Sequence, residues 1–493
     1  MSAPKSLLLV TVDCLRADHT GFMGYTRPTT PFLDQLAAES MVFPKAIAAG
    51  APTYYSFPGI LASRSPLALG REVVGIAPGE PTLATVLQQA GYRTAAYVAA
   101  NPYLSSRFGY AQGFEVFQDF LSEELPYASG ARPHARTKLN QQIAELAHKV
   151  SPLGRLYDEL YFQYCQRVAA PRNEAWDSLR RFPAANVLVD HACAWLKSIH
   201  DEPFFLWLHF MDPHAPYYPP AEALKAMGAK RSSPGRGRYL NAIWNSDLGA
   251  KRLLKSRDEV IVLHDAGIHW VDTQLARLVD SLRAVSLWDS CVFVLTADHG
   301  EEFLDHGGRF HPPSCAYQEI LHVPLLLRVP GAGKKALSEA PFSLVHLAPT
   351  VLAALGVDTL EEFEGRNYWS TMQAGEGWEG AVSESIGGCT NPMDAQKRLG
   401  ARVLVVQDRK FKLVLDRDNH REDLFDLERD PHELRPLDPG AERNARGRLL
   451  RVALHHLERR PSQRRRESAL RARVHQIGLE WGHSKMRSEI PAS

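Results

Sequence analysis

The chain has 493 residues, enough for a large core and for two or three domains of ordinary size. Its 57 Lys and Arg nearly cancel 56 Asp and Glu, so no global field draws it to nucleic acid or to an anionic membrane. No apolar run reaches the ~18 residues of a spanning helix, and six scattered cysteines without CxxC spacing read as reduced thiols of a cytoplasmic protein.

The first element, "SLLLVTV" (6–12), is a continuously apolar run that reads as a buried strand and not as a signal peptide. Helical spacing follows in 29–40 and 82–91, with a strand at 93–99. Residues 115–185 and 220–258 are polar, basic and in places rich in Pro and Gly; they read as surface insertions that shape or cover a site. Between and beyond them come a helix over 186–200, a strand at 203–210, a helical pattern over 264–285 and a strand at 291–297. The apolar run at 323–331 precedes a helix over 343–356 that Gly356 caps, then a strand pair in 402–416, the segment 421–433 and a basic helical tail. Apolar strands separated by amphipathic helices predict an α/β fold with a mostly parallel sheet.

In such sheets ligands bind beyond the carboxyl ends of the strands. Three strands here run straight into polar residues: Asp13 after the first, Asp212, Pro213 and His214 after "FFLWLHF", and Asp298, His299 and Gly300 after "CVFVLTA". Asp298 and His299 suit a divalent ion of the zinc or manganese type, or else a helix cap and a surface histidine. Asp13 completes a three-ligand set with one open position, or caps a helix. His306 and His311 lie in the Gly-rich loop beyond, and His209 and His214 flank the end of the third strand. "GAPTYYSFPGILAS" (50–63) has no charged residue, His or Cys, and Thr53 in it looks inert by itself.

Four segments in this order, "LLLVTVDCLRADHTGFMGYTRPTTPFLDQLAAES", "LHFMDPHAPYYPP", "TADHGEEFLDHG" and "EDLFDLERDPHE", resemble the sulfatase family of the alkaline phosphatase superfamily over residues 5–435. The resemblance implies an alkaline-phosphatase-like α/β catalytic domain over 1–360, a small C-terminal sheet domain over 361–440, and leaves 441–493 as the basic tail. It implies one divalent metal (Mn, Zn or Ca) on Asp13, Asp298, His299 and the Thr53 oxygen. His214, His311 and Asn101 fall at substrate-oxygen contacts, with His214 or His311 protonating the leaving group.

The chain departs from the family pattern at three positions. Thr53 stands where the formylglycine-forming Cys or Ser belongs, Phe57 where its partner arginine belongs, and Cys14 where a second aspartate normally follows the first. A formylglycine hydrate releases sulfate by elimination, whereas a threonine ester must be attacked at its central atom. Thr53, Ser56 and Pro58 also resemble the nucleophile segment of phosphoethanolamine transferases. The expected activity is therefore hydrolysis of phosphate or phosphonate esters, as in a phosphodiesterase or phosphonate monoester hydrolase, through a covalent Thr53 intermediate. Alternatives are sulfuric ester hydrolysis, transfer of a phospho-substituent to a glycan or lipid head group, and an inactive anion-binding relative. The expected partners are a small, glycan-linked or lipid-linked anionic ester and a second copy of the chain, not nucleic acid or a bilayer interior.

Overall fold

The computed structural model describes residues 6–121, 175–199, 202–229, 232–246, 249–333, 337–374, 380–416 and 420–458. Most of the first insertion and the basic run at 459–467 lie outside the described residues. The chain divides into two compact units: Met1–Phe120 with Phe182–Met211 and Val271–Ser493, and Leu121–Arg181 with Asp212–Trp270.

In the larger unit a seven-stranded sheet runs in the order Met41–Val42, Leu325–Arg328, Cys291–Ala297, Ser6–Val12, Phe204–Phe210, Arg93–Val98, Val116–Gln118. The strand Ser6–Val12 and its two neighbours are buried along their whole length, which is why they read as unbroken apolar runs and not as alternating ones. These three are parallel, and Val12 is level with both Phe210 and Ala297. The register therefore brings Asp13, Met211 and Asp298 out at the same end of the sheet. Leu325–Arg328 joins antiparallel, after a loop excursion that contains no long crossover helix.

The helix Thr53–Ala62 is buried at every position. Its aromatic side is spent on packing: Tyr54 and Tyr55 cluster with Leu67, Ile386 and Cys389, and the Tyr54 hydroxyl donates to the Cys389 carbonyl. Gly50 precedes it because a Cβ there would meet the Glu384 carbonyl oxygen at 2.2 Å.

Ile386 belongs to a four-stranded antiparallel meander, Ala381–Ile386, Arg402–Gln407, Phe411–Asp416 and Arg421–Asp426. The helix Arg443–Glu458 covers it with Ala445, Leu449 and Ala453, one face at a spacing of four, against Leu404, Val406, Phe411, Leu413 and Leu424. The helix Leu347–Ala354 ends ahead of Gly356, which takes the left-handed φ of +73°.

The second unit contains the helices Trp176–Leu179, Ala221–Ala226 and Pro234–Trp244 and the first part of the long helix Ala250–Ala284. Within it, Asn241 grips the backbone of Tyr217 from both sides, accepting from its N–H at 2.7 Å and donating to its carbonyl at 2.9 Å. Among the described residues no helix is long and apolar enough to cross a membrane.

Candidate active site

The strand ends converge on a buried polar cluster. Asp13, Asp298 and His299 are fully buried, and Thr53 and Asn101 are nearly so. His299 Nδ1 lies 2.9 Å from the Gly300 carbonyl oxygen and must donate to it, so in the neutral ring Nε2 carries the lone pair. That nitrogen lies 3.5 Å from Asp298 Oδ2 and 3.8 Å from Asp13 Oδ1. Burial, and then the nearby Asp13, push the Asp298 carboxyl above its usual range, partly offset by His299, His209 and the Thr53 hydroxyl.

Thr53 is the first residue of its helix, and its Oγ1 sits 3.3 Å from His299 Nε2 and 3.4 Å from Asp13 Oδ2. Ser56, one turn on, donates to the Asp298 carbonyl at 2.6 Å and pins this helix end to the strand end. The opening turn thus meets the metal-type residues although nothing within it is charged.

Asn101 donates from Nδ2 to Asp13 Oδ2 at 3.1 Å, while its Oδ1 accepts the Tyr103 N–H. His311 Nδ1 lies 3.4 Å from Cys14 Sγ and 3.4 Å from Glu301 Oε2, with its ring 4.4 Å from that of His299. Arg16, almost wholly buried, bonds the Glu301 carbonyl at 3.0 Å and Asp305 at 2.9 Å, which ties the loop after Asp298 to the first strand end.

The cluster also contains His209, noted at the end of the third strand, and Glu301, which no motif singled out. Among the described residues His209 Nε2, 3.5 Å from Asp13 Oδ2, has no hydrogen-bond partner, while its Nδ1 is 2.9 Å from Thr11 Oγ1. Its signal was a histidine inside an otherwise apolar strand. Glu301 is fully buried beside His311. Phe57 meets the His209 ring edge to face at 5.1 Å and also packs on Trp207 and Tyr110. An apolar ring therefore fills the volume that an arginine would need.

His214 belongs to the second unit, and its Nδ1 contacts the Ala215 carbonyl. His306 stacks on Tyr317 at 3.5 Å and bonds Glu319 at 2.6 Å, which is packing of a loop against its neighbour.

The donor set fits a divalent cation. Among the described residues Asp298 Oδ2 is buried without a hydrogen-bond partner, His299 Nε2 offers a lone pair, and the ligand atoms of Asp13, Cys14 and His299 lie within 4.8 Å of one another.

The Sulfatase family model matches residues 5–357, and the chain belongs to that family. An arylsulfatase of Clostridium perfringens is 24% identical over 457 residues, covering 87% of this chain and 89% of its own. The fold is similar to that of a phosphonate monoester hydrolase from Silicibacter pomeroyi, with a TM-score of 0.65, 21% identity and coverage of 92% and 95% of the two chains. It is also similar to a protein solved with its substrate D-glucosamine-2-N,6-O-disulfate, with a TM-score of 0.66, 17% identity and coverage of 94% and 98%. Sulfatase-family proteins are ester hydrolases that typically bind a divalent metal.

Proposed function

We propose that the protein hydrolyses phosphate or phosphonate esters, with Thr53 as nucleophile beside one divalent metal. The observation that carries this reading is the position of Thr53 Oγ1, 3.3 Å from His299 Nε2 and 3.4 Å from Asp13 Oδ2. Asp13, Asp298 and His299 would hold the ion, which makes the hydroxyl more acidic and offsets charge on the transferring group.

The chain's own groups supply the rest. Asp13 Oδ2, 3.4 Å from the Thr53 hydroxyl, is the carboxylate oxygen we assign to take its proton, and Asn101 holds that carboxylate in place. The Thr53 oxygen forms its bond to phosphorus as the bond to the ester's alcohol breaks, and the alkoxide leaves with a proton from water. His311 is the side chain we assign to a non-bridging oxygen, and the N-terminal end of the Thr53 helix favours the negative charge there. Water then attacks phosphorus, expels the Thr53 oxygen and returns its proton.

Phosphorus is favoured over sulfur because Thr53 cannot form the aldehyde hydrate through which a sulfate ester is eliminated. Hydrolysis of sulfate esters is the second reading, supported by the similarity to the arylsulfatase along nearly the whole chain. A panel of phosphate monoesters and diesters, phosphonate monoesters and sulfate esters, assayed with the wild type and Thr53→Ala and with metal content measured, separates the two. Phosphorus esters as the best substrates, lost with Thr53→Ala, support the first reading. Sulfate esters as the best substrates support the second, and undiminished turnover by Thr53→Ala removes the nucleophile assignment.

A further inference from the structure

Cys14 stands where the family pattern has a second aspartate, so a sulfur takes the place of an oxygen donor. Its backbone is in the left-handed region at φ +61°, uncommon for a residue with a Cβ and held only where the surroundings enforce it. The sulfur is fully buried, 3.1 Å from Asp13 Oδ1 and 3.4 Å from His311 Nδ1. Asp13 and Glu301, both fully buried, meet the sulfur and its neighbour His311 respectively, so the thiol lies among buried carboxylates, an environment shaped for a positive charge.

Three further observations point to an ion and not to packing alone. Asp13, Cys14 and His299 form one group of residues whose ligand atoms all lie within 4.8 Å of one another. Asp298 Oδ2, fully buried and without a hydrogen-bond partner among the described residues, lies 3.5 Å from the His299 nitrogen of that group. The 3.1 Å between Cys14 Sγ and Asp13 Oδ1 also suits two ligands of one ion, since bonds of about 2.3 Å to sulfur and about 2.1 Å to oxygen set such neighbours ~3 to 4 Å apart.

We propose that Cys14 Sγ is itself a ligand of the bound ion, so that the site selects a thiophilic divalent cation such as zinc over magnesium or calcium. This rests on the metal site of the proposed function and adds to it the donor that sets the choice of metal. Thiolate ligands favour zinc and similar ions, whereas magnesium and calcium take oxygen donors.

The test replaces the native ion with cobalt(II) in the full chain and records the near-ultraviolet spectrum of the wild type and of Cys14→Ser, with bound cobalt counted and folding checked by circular dichroism. The expected result is a sulfur-to-cobalt charge-transfer band in the wild type that Cys14→Ser abolishes while cobalt remains bound. Zinc affinity, measured by competition with a chelator, then falls by more than ~10-fold in Cys14→Ser while calcium affinity does not. Cobalt bound to the wild type without the band, or a band that persists in Cys14→Ser, overturns the thiolate ligand and leaves the metal site standing. No cobalt bound to the folded wild type overturns both. Cys14→Ala serves in the same way if the serine variant does not fold.

Discussion

Thr53 Oγ1 and His299 Nε2 lie 3.3 Å apart although 246 positions separate the two residues in the chain. The distance depends on two independent pieces of architecture: the in-register strands that end in Asp13 and Asp298, and the buried helix whose first residue is Thr53.

Asn101 bonds Asp13 through its amide and holds the carboxylate that faces Thr53. Replacing it with Ala leaves that carboxylate less fixed, and loss of such an outer partner costs ~10- to 100-fold in metal affinity. Isothermal titration of metal into Asn101→Ala and the wild type checks this, and equal affinities would remove the positioning role.

Phe57 is fully buried against His209, Trp207 and Tyr110. Phe57→Ala is expected to destabilise the fold by ~3 to 5 kcal/mol in denaturant titration, because the cavity is walled by rigid rings. Phe57→Arg buries a charge in the same volume and is expected to unfold the protein sooner still, without any gain of sulfate-ester turnover.

Asp272 accepts the backbone N–H groups of Phe32 and Leu33, both at 2.9 Å, at the start of the helix Pro31–Ala37. Burial pushes its carboxyl up from 3.8 to about 7, so between these values the folded chain holds a proton that the unfolded chain has lost. The stabilisation is complete below the lower value and is lost as the pH rises through about 7. Relative to Asp272→Asn, the wild type should therefore lose stability on the order of a few kcal/mol between about pH 4 and pH 8. Parallel pH profiles of the two proteins would contradict this.

Lys412 and Glu433 form a buried pair at 2.6 Å, with neither side chain exposed. Lys412→Met strands the carboxylate and is expected to cost ~3 to 5 kcal/mol, whereas adding Glu433→Gln recovers most of the loss. Chemical denaturation of the single and double variants measures the coupling, and simple additivity would show the pair to be independent.

How much of this was legible before the structure depended on the kind of signal. Asp13, Asp298 and His299 stood out because an unbroken apolar strand that stops at a carboxylate sets that carboxylate at the ligand-binding edge of a parallel sheet. The strand pair at 402–416 and the Gly356 stop were equally local. Thr53 needed the family pattern, since a neutral turn residue gains reactivity only from partners that the fold brings to it. Cys14 could be seen to replace an aspartate, but its left-handed backbone and its carboxylate surroundings exist only in three dimensions. His209 was visible at a strand end but its contact with Asp13 was not, and Glu301 was hidden for a related reason: a glutamate beside another acidic residue looks ordinary until burial is known. The grouping of 212–270 with the first insertion as a separate compact unit follows from contacts between distant segments, which periodicity does not report.

The nucleophile assignment is tested most directly by kcat/KM of Thr53→Ala on the best phosphorus ester of the panel, measured at metal occupancy equal to that of the wild type. A fall of at least ~10^3-fold in a folded, metal-loaded variant is the predicted result. Turnover equal to that of the wild type would contradict it.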